Sequence, residues 1–544
     1  MKLKTSIKLM YSIITCFAIS CNSMDPIPTD NFTDATFWQS SANAELVVNM
    51  AYNQMYSADK MWNDEALSDN IFEGRSNTNQ RSIRNGLVDP SLGLFSSEWG
   101  DIYAGIKTCH VFLANIDRVP NIDRQLKNRR IAEIRFIRAY LYFRLINFYG
   151  DVPFFSSDIL LSETNSIKRT NKTVVLQFIH DELSAISSIL PSKNQLSKLE
   201  NGRITKGAVL AFQARANLYE GNWQKTANYC DSLINNQAIY GNYSLFPNYE
   251  GLFQRENENN QEVILDYSYV PSLKTWNKLY GAAPLSAGAN LNAYAPLQSL
   301  VDNYLTINGK TIAEDAHYSA DDPYKDRDPR LAATVVFHGA KWTAFNGNIQ
   351  TIYIKPGTGN NAQERLDNYS GPSANSSSTG YYVKKYYDRS ASVTFESSLN
   401  IFMFRYADIL LMYAEAMQEL GKFNASIWDD TIRKIRERAG FTSSDALSYP
   451  SGATKEQLSN IIRNERRSEL ALEGLRYYDI IRWKAGKTYL DGPVYGAKFS
   501  NGNRDYIRLD NRRFDENRDY LWSVPQSQLD LNKNLLPNNP GHSN

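Results

Sequence analysis

Two stretches of this sequence decide its fold: Ala214-Arg215-Ala216 followed by Gly221-Asn222-Trp223, and Ala414-Glu415-Ala416 followed by Gly421-Lys422-Phe423. Each predicts a helix whose small residues let a second helix pack closely, a glycine that ends it, and an aromatic residue that opens the next helix. Glycine suits the end of a helix because it adopts positive φ without steric cost. Helix–turn–helix units of this kind build tetratricopeptide repeats.

Apolar residues recur at helical spacing on both sides of these stretches. The spacing predicts helices over 37–56, 99–116, 131–149 and 173–190, and helices again from Tyr406 to about Arg482. We therefore expect a mainly α protein, in which residues 37–544 form one domain. Its scaffold of tetratricopeptide-like hairpins is expected over 37–234 and 401–484.

The chain between about 235 and 400 differs from this scaffold. It is rich in Gly, Asn, Ser, Pro and Tyr, has little helical periodicity, and contains short β-like runs such as Val263-Ile264-Leu265 and 334–337. A long irregular region inside a compact protein usually carries function. We predict a loop-rich ligand-binding insert here, and an irregular tail after Gly486.

Charge and composition exclude some classes of protein. The 59 Lys and Arg almost balance the 58 Asp and Glu, so the formal net charge is +1. Nucleic-acid binding proteins usually have a strong basic excess, and this balance predicts that no nucleic acid is a partner. Aromatic residues make up 12% of the chain, with 34 Tyr. Some can provide flat, weakly polar surfaces for sugars or peptides.

The N-terminus has the pattern of a lipoprotein signal peptide. Basic residues precede a mostly apolar run over 9–19, which is too short to span a bilayer, and the run leads into Ala18-Ile19-Ser20-Cys21. We predict a signal peptide over 1–20, lipidation of Cys21, and a polar tether over 21–36. The alternative is a cleaved signal without lipidation, because the usual Leu three residues before the Cys is missing.

The remaining cysteines, Cys109 and Cys230, lie in stretches predicted to be helical. Two distant cysteines do not make a disulfide scaffold. We expect each to be a small buried apolar residue rather than part of a bridge or a reactive thiol.

Sequence patterns of enzymes are missing. None of the 5 His has a second His at metal-ligand spacing, and there is no Gly-x-Ser-x-Gly elbow. Gly486-Lys487-Thr488 lacks the earlier glycine of a P-loop, because Ile481 occupies that position. We predict no cofactor, no metal site and a structural role for His338. A glycosidase-like pair of carboxylates stays open as an alternative, because such a pair needs only to be close in space.

Several longer segments resemble signatures of the SusD/RagB family and keep their order along nearly the whole chain. They are Asp25-Pro26, Phe37-Trp38, 138–143, 149–153, 214–223, 300–302, 322–330, 405–416, 463–470, 473–474, 482–483, 521–526 and 539–541. The resemblance implies a scaffold of tetratricopeptide-like hairpins, an irregular insert that carries the binding surface, and a lipid anchor in the outer membrane at the cell surface. It also implies a SusC-like TonB-dependent outer-membrane β-barrel as partner, a glycan or peptide ligand, and no catalysis.

In the same family, binding residues come from loops after the first helix and from the central insert. This points to Asp69, Asn70 and Arg75 in the first region, with Trp99 at the start of the next predicted helix, and to Trp276, Tyr280, Tyr294 and Trp342 in the insert. Aromatic faces stack on sugar rings, and planar polar groups pair with hydroxyls. For each Trp the alternative is packing.

Two charged segments are expected to be structural. Arg463 to Arg467 should lie on a solvated or ion-paired face of the scaffold, where helical spacing offers pairs such as Arg466 with Glu469 and Glu473 with Arg476. The run Asp326-Arg327-Asp328-Pro329-Arg330, with its alternating charges before a Pro, should form a locked loop that ion pairs can help to hold.

The function expected from these patterns is that of a cell-surface lipoprotein that binds an oligosaccharide or polysaccharide and delivers it to the barrel. The alternatives are a peptide-binding member of the same family, a secreted hydrolase, and a scaffold that binds only proteins.

Overall fold

The computed structural model describes residues 34–74, 78–499 and 505–544. The predicted signal peptide, Cys21, most of the tether and Arg75 lie outside the described residues.

α-Helices form both parts of the chain that were predicted as scaffold, which confirms a mainly α fold. Before the insert they are Asp34–Phe37, Ser41–Met55, Ala58–Ala66, Asn79–Arg84, Gly93–Asn115, Arg124–Tyr149, Leu161–Thr164, Lys172–Ile186, Lys206–Tyr219, Trp223–Asn235 and Gln237–Tyr240. After it they are Tyr406–Glu419, Ala425–Trp428, Lys434–Ala439, Ser444–Leu447, Lys455–Glu469, Arg476–Arg482, Gly486–Tyr489 and Gln526–Leu531.

The two glycine-centred stretches form the expected hairpins. The Lys206–Tyr219 helix packs on Trp223–Asn235, which packs on Tyr406–Glu419, which in turn packs on Lys455–Glu469. Gly221 (φ 72°) and Gly421 (φ 68°) make the turns, a conformation that strains other residues. One detail of the second hairpin was predicted wrongly: the helix after its turn begins at Ala425 rather than at Phe423. That helix begins after Asn424, whose side chain accepts a hydrogen bond from the backbone N–H of Ile427.

The insert contains short antiparallel strand pairs and isolated helical turns. Ile71–Glu73 pairs with Tyr294–Pro296, Val263–Tyr267 with Ile401–Arg405, Val335–Val336 with Tyr382–Val383, and Lys341–Thr343 with Ile349–Thr351. Its α-helices are Gln298–Asn303 and Pro329–Thr334, and its 3-10 turns are Gly251–Phe253, Arg255–Asn257, Lys278–Gly281, Leu285–Ala287 and Glu364–Asp367. In the scaffold, Val152–Pro153 pairs with Arg169–Thr170.

The tail is more regular than its sequence predicted. Gly492–Lys498 and Tyr506–Arg512 form an antiparallel hairpin, and Gln526–Leu531 forms a helix. Exposure alternates over 493–496, from exposed Pro493 through buried Val494 to exposed Tyr495. This is the period of a strand with one face covered. The hairpin lies against the insert, and the Ala497 N–H donates to the Thr379 carbonyl.

A network of buried ion pairs joins the insert to the scaffold. Glu469 accepts hydrogen bonds from Arg405, Arg330 and Arg438. Burial by itself would raise the pKa of Glu469, but these three arginines outweigh it and hold the pKa well below its usual range. Further pairs are Arg405 with Glu262 and Glu473, Arg330 with Asp328 and Glu465, Lys385 with Glu473, Arg436 with Glu465, and Arg215 with Asp408.

The prediction of an ion-paired scaffold face is confirmed, but the partners expected from helical spacing are wrong. Arg466 pairs with Asp408 and Asp479. Arg476 pairs with Asp69. Because these side chains are buried between elements, the nearest carboxylates belong to other segments rather than to the next turn of the same helix.

The thiols of Cys109 and Cys230 are free and buried, which confirms the expectation for both. Burial raises the pKa of Cys109 to about 12, so this thiol is unreactive. No helix in the described part of the chain is both long and apolar enough to cross a membrane.

Arg405→Met should lower the free energy of unfolding by about 3–5 kcal/mol, because it leaves the buried carboxylates of Glu262, Glu469 and Glu473 without a shared cation. Urea unfolding followed by circular dichroism measures the change. Arg433→Met is the control, because Arg433 ends the π-helical segment Asp429–Arg433 and its ion pairs in the described part of the chain, with Asp429 and Glu437, are exposed. An equal loss of stability in both variants would contradict the importance of the network.

Candidate functional site

Asp69 and Asn70 lie inside the protein rather than on a binding surface. Both carboxylate oxygens of Asp69 are within 3.1 Å of arginine nitrogens. Oδ1 accepts from Arg476, and Oδ2 contacts both Arg476 and Arg467. The Asn70 side chain donates to Glu65 and accepts from Arg467. With their hydrogen-bonding capacity used internally, these two residues connect the loop after Ala58–Ala66 to the C-terminal part of the scaffold.

The three tryptophans chosen from the sequence are also buried. Trp99 lies between the rings of Tyr103 and Tyr149, inside a helix that begins at Gly93 rather than at Trp99. Trp276 donates through its indole N–H to the Leu399 carbonyl at 2.7 Å. Trp342 is fully buried, with its ring 4.1 Å from that of Tyr387. The structure therefore favours packing for all three.

Tyr280 and Tyr294 are the candidates that remain half-buried. Their rings contact different neighbours, Phe395 for Tyr280 and Trp62 for Tyr294. Neither residue lines the cavity described next.

A cavity of about 390 Å³ lies where the insert meets the C-terminal hairpin. Protein sites for small ligands commonly measure about 300–1,000 Å³. We call it the tyrosine cavity. Its lining residues are Gln298, Val301, Asp302, Tyr318, Ala320, Asp321, Pro323, Tyr324, Arg327, His338, Lys355, Tyr381, Lys498, Phe499 and Tyr506.

The aromatic wall of the tyrosine cavity combines fixed and open rings. The ring of Tyr324 stacks on Phe337 with centroids 4.1 Å apart, and the Tyr381 hydroxyl donates to Gln298 Oε1 at 2.6 Å. Tyr318 is half-buried, and Tyr506 is 40% exposed. Rigid rings with an accessible face suit stacking against the apolar face of a sugar.

The loop that carries Tyr318 and Tyr324 is held by Arg327. Its guanidinium donates to the carbonyl oxygens of Val301, Tyr304 and Pro323 at distances between 2.6 and 2.8 Å. Burial lowers the pKa of Arg327 from its ordinary value. The predicted locked loop is confirmed for 326–328, where carbonyl groups hold Arg327. It is wrong for Pro329 and Arg330, which begin the Pro329–Thr334 helix.

Polar groups with fixed directions surround the rings. Asp302 Oδ1 accepts from Gln298 Nε2 at 2.7 Å, and burial raises the pKa of Asp302. His338 Nδ1 accepts the backbone N–H groups of Ile354 and Lys355 at 3.1 and 3.2 Å. The proton of the neutral imidazole therefore lies on Nε2, which is available as a donor. Burial and then Lys355 lower the pKa of His338, so the ring is neutral near pH 7.

Two larger cavities fit a ligand less well. One of about 650 Å³, around Asp491 and Arg513, has Phe514 as its single aromatic lining residue. Another of about 610 Å³ has several aromatic residues, but it lies between the scaffold and the tail, has no lining residue from the insert, and has an ion pair between Lys172 and Glu220 in its lining. The tyrosine cavity, by contrast, combines accessible aromatic rings with polar groups, such as Asp302 and His338, that can still bind a ligand.

The residues of the tyrosine cavity were missed by the sequence analysis, except that His338 was predicted to be structural. Its Nδ1 does have a structural role, since it organises the turn at Ile354 and Lys355. Tyr324 lies inside the recognisable 322–330 segment and Tyr318 lies shortly before it, so a search for tyrosines in and beside that segment could have found them. Lys498 and Tyr506 belong to a tail predicted to be irregular, and nothing in the sequence connects that tail to the insert.

Residues 249–542 match the model of a family described as the SusD family. Residues 29–218 match a second model, described as starch-binding and associating with the outer membrane.

Individual proteins extend these matches. A SusD-like protein of Formosa agariphila is 26% identical over 98% of this chain and 99% of its own length. The starch-binding protein SusD of Bacteroides thetaiotaomicron is 30% identical over 25% of this chain and 24% of its own length. The crystal structure of a SusD-like carbohydrate binding protein from Bacteroides fragilis superposes with a TM-score of 0.82 at 27% identity, covering 92% of this chain and 100% of that one.

Asp69→Asn tests whether Asp69 supports the scaffold. Burial would raise the pKa of Asp69, but Arg467 and Arg476 hold it at about 2, against an ordinary 3.8. The folded state is therefore stabilised by about 2 kcal/mol above pH 4, and this is lost as the pH falls through about 2. We expect the variant to be less stable at pH 7, with a flatter loss of stability between pH 4 and pH 2 in urea unfolding.

Arg433→Met serves again as a control and should keep the wild-type pH profile. A stable Asp69→Asn protein with reduced ligand affinity would instead assign Asp69 to the binding site.

Proposed function

This chain belongs to the SusD family, and we propose that it binds an oligosaccharide or polysaccharide at the cell surface and delivers it to a SusC-like TonB-dependent outer-membrane β-barrel. The proposal depends most on the tyrosine cavity, where accessible rings lie beside polar groups of fixed direction. A saccharide needs both, because its ring faces are apolar and its edges carry hydroxyl groups. The similarity to a carbohydrate binding protein of the same fold supports the ligand class.

Each side of the tyrosine cavity can take part in recognition. Tyr506 and Tyr318 offer faces for stacking. Asp302 keeps Oδ2 free of the bond that Gln298 makes to Oδ1, so it can accept from a sugar hydroxyl. His338 Nε2 can donate to one. Because Arg327 fixes the loop between these groups, little conformational entropy needs to be lost on binding.

We propose binding without catalysis. Glycosidases need a general acid in a shielded environment close to a second carboxylate. In the tyrosine cavity, Asp302 is tied to Gln298, and Asp321 is exposed. This arrangement suits hydrogen bonds to hydroxyl groups rather than protonation of a glycosidic oxygen.

The proposed location is the outer leaflet of the outer membrane, with Cys21 as the lipidated residue. The match to a family that associates with the outer membrane supports it. A lipid anchor with several acyl chains holds a protein at a membrane surface. An anchored protein stays beside its transporter, which raises the effective concentration of ligand at the barrel.

Tyr506→Ala and Tyr318→Ala should each weaken glycan binding by about tenfold, since each removes a stacking face. Affinity electrophoresis against a panel of polysaccharides measures the change. Tyr280→Ala is the matched control, because Tyr280 is a half-buried tyrosine outside the tyrosine cavity. Loss of glycan binding in Tyr280→Ala alone would instead assign the binding site to the surface around Tyr280.

The same panel distinguishes the other functions. Sugar release from a retained polysaccharide would overturn the proposal of binding without catalysis. Retardation by none of the polysaccharides, together with peptides that co-purify, would replace the glycan with a peptide ligand.

Cys21→Ser should move the protein from the outer-membrane fraction to the soluble fraction, because no thiol is left to accept the diacylglycerol. Fractionation with immunoblotting measures this. The wild-type protein, extracted in mild detergent, should co-purify with a TonB-dependent barrel. A Cys21→Ser protein that stays in the membrane would contradict the proposed anchor. Cys16→Ser is the matched control and should stay in the outer-membrane fraction.

A further inference from the structure

We propose that the tyrosine cavity selects an anionic saccharide, one that carries a carboxylate or a sulfate ester, and that Lys355 and Lys498 recognise this group. The inference rests on the proposed function and narrows its ligand class. It starts from the charges of the cavity rather than from its rings.

Lys355 and Lys498 line the tyrosine cavity without a carboxylate partner. Among the described residues, no Asp or Glu oxygen lies within 4.0 Å of either ammonium group. Two other lysines of the insert do have carboxylate partners: Lys384 pairs with Glu250 at 3.1 Å and Lys385 with Glu473 at 2.8 Å. A half-buried ammonium that lacks an anion is positioned to bind one from outside.

The carboxylates of the tyrosine cavity do not cancel these two charges. Burial has the larger effect on Asp302 and raises its pKa, while the positive charge of Arg327 lowers that pKa. Arg327 itself donates to backbone carbonyls, so its charge remains to offset Asp302. Asp321 is exposed, where water and salt screen it. The two lysines therefore form the uncompensated part of the lining.

The surroundings of each lysine add to anion recognition. The Lys355 backbone N–H donates to His338 Nδ1, which leaves His338 Nε2–H as a third donor beside the lysine. Lys498 Nζ lies 5.4 Å from the centroid of the Tyr506 ring, a cation–π arrangement that keeps the ammonium close to that ring. A sugar stacked on Tyr506 would thus bring a ring substituent next to Lys498. Carboxylate and sulfate groups offer the several acceptor oxygens that these donors need.

Pairs of polysaccharides with the same backbone provide the test. The probes are dextran and dextran sulfate, and polygalacturonate and its methyl ester, in affinity electrophoresis with the detergent-solubilised full chain. We expect at least one charged polysaccharide to bind about tenfold more tightly than its neutral counterpart, and to bind more weakly as salt rises. The preferred pair identifies the group as sulfate or carboxylate.

Variants then locate the recognition. The double variant Lys355→Gln/Lys498→Gln should lose this tenfold preference while it still binds any neutral polysaccharide that the wild type binds. Lys325→Gln is the matched control, because Lys325 is an exposed lysine on the same loop as Tyr324 and does not line the tyrosine cavity. Circular dichroism verifies that each variant is folded.

The possible outcomes separate this inference from the proposed function. Equal binding of charged and neutral polysaccharides, with dependence on Tyr506 and not on the lysines, would overturn the anionic ligand and leave glycan binding intact. An equal loss in Lys325→Gln would show a diffuse charge effect and overturn the inference as well. Retardation by neither pair, while a neutral polysaccharide of the panel retards the protein, would overturn the anionic ligand and leave glycan binding intact. Retardation by no polysaccharide at all would overturn both.

Discussion

The buried carboxylate of Glu469 is the constraint on which the rest of the structure depends. Three arginines converge on it: Arg405 from the strand before the Tyr406–Glu419 helix, Arg438 from the Lys434–Ala439 helix, and Arg330 from the insert. A buried ion is costly unless its partners are well placed. These three segments can therefore reach a low free energy only when they meet at Glu469. Because Glu469 belongs to the scaffold, the scaffold fixes the position of the insert.

The tyrosine cavity follows from this constraint. Arg330 is held by Asp328, and the side chain of Asp328 also accepts the Arg330 backbone N–H at the start of the Pro329–Thr334 helix. This helix directly follows the loop that contains Arg327, whose guanidinium donates to the carbonyls of Val301, Tyr304 and Pro323. The scaffold thereby fixes one wall of the cavity, while the C-terminal hairpin supplies the other through Lys498 and Tyr506. A binding surface built from irregular segments can be rigid when charged groups fix its ends.

The sequence predicted the scaffold well and the candidate site poorly. Helices with glycine turns at Gly221 and Gly421 were predicted correctly because their signals are local. Asp69 and Trp342 were chosen because binding residues of the family come from the loops after the first helix and from the insert, yet both are buried. An aromatic residue in a Gly-rich loop can stack on a ligand or pack on a neighbour, and composition does not distinguish these outcomes. Lys498 was missed because its contact with the insert joins distant segments.

The sequence by itself determined the class of fold, the irregular character of the insert and the family resemblance, because helical periodicity, turn glycines and ordered motifs are local properties of the chain. Only the tertiary structure decided which charges pair and which stay free. Arg466 has carboxylates close to it in sequence but pairs with Asp408 and Asp479, whereas Lys355 and Lys498 are left without a carboxylate in the described residues. The physical reason is that electrostatic interactions depend on distance and burial in space, and the folded chain sets both.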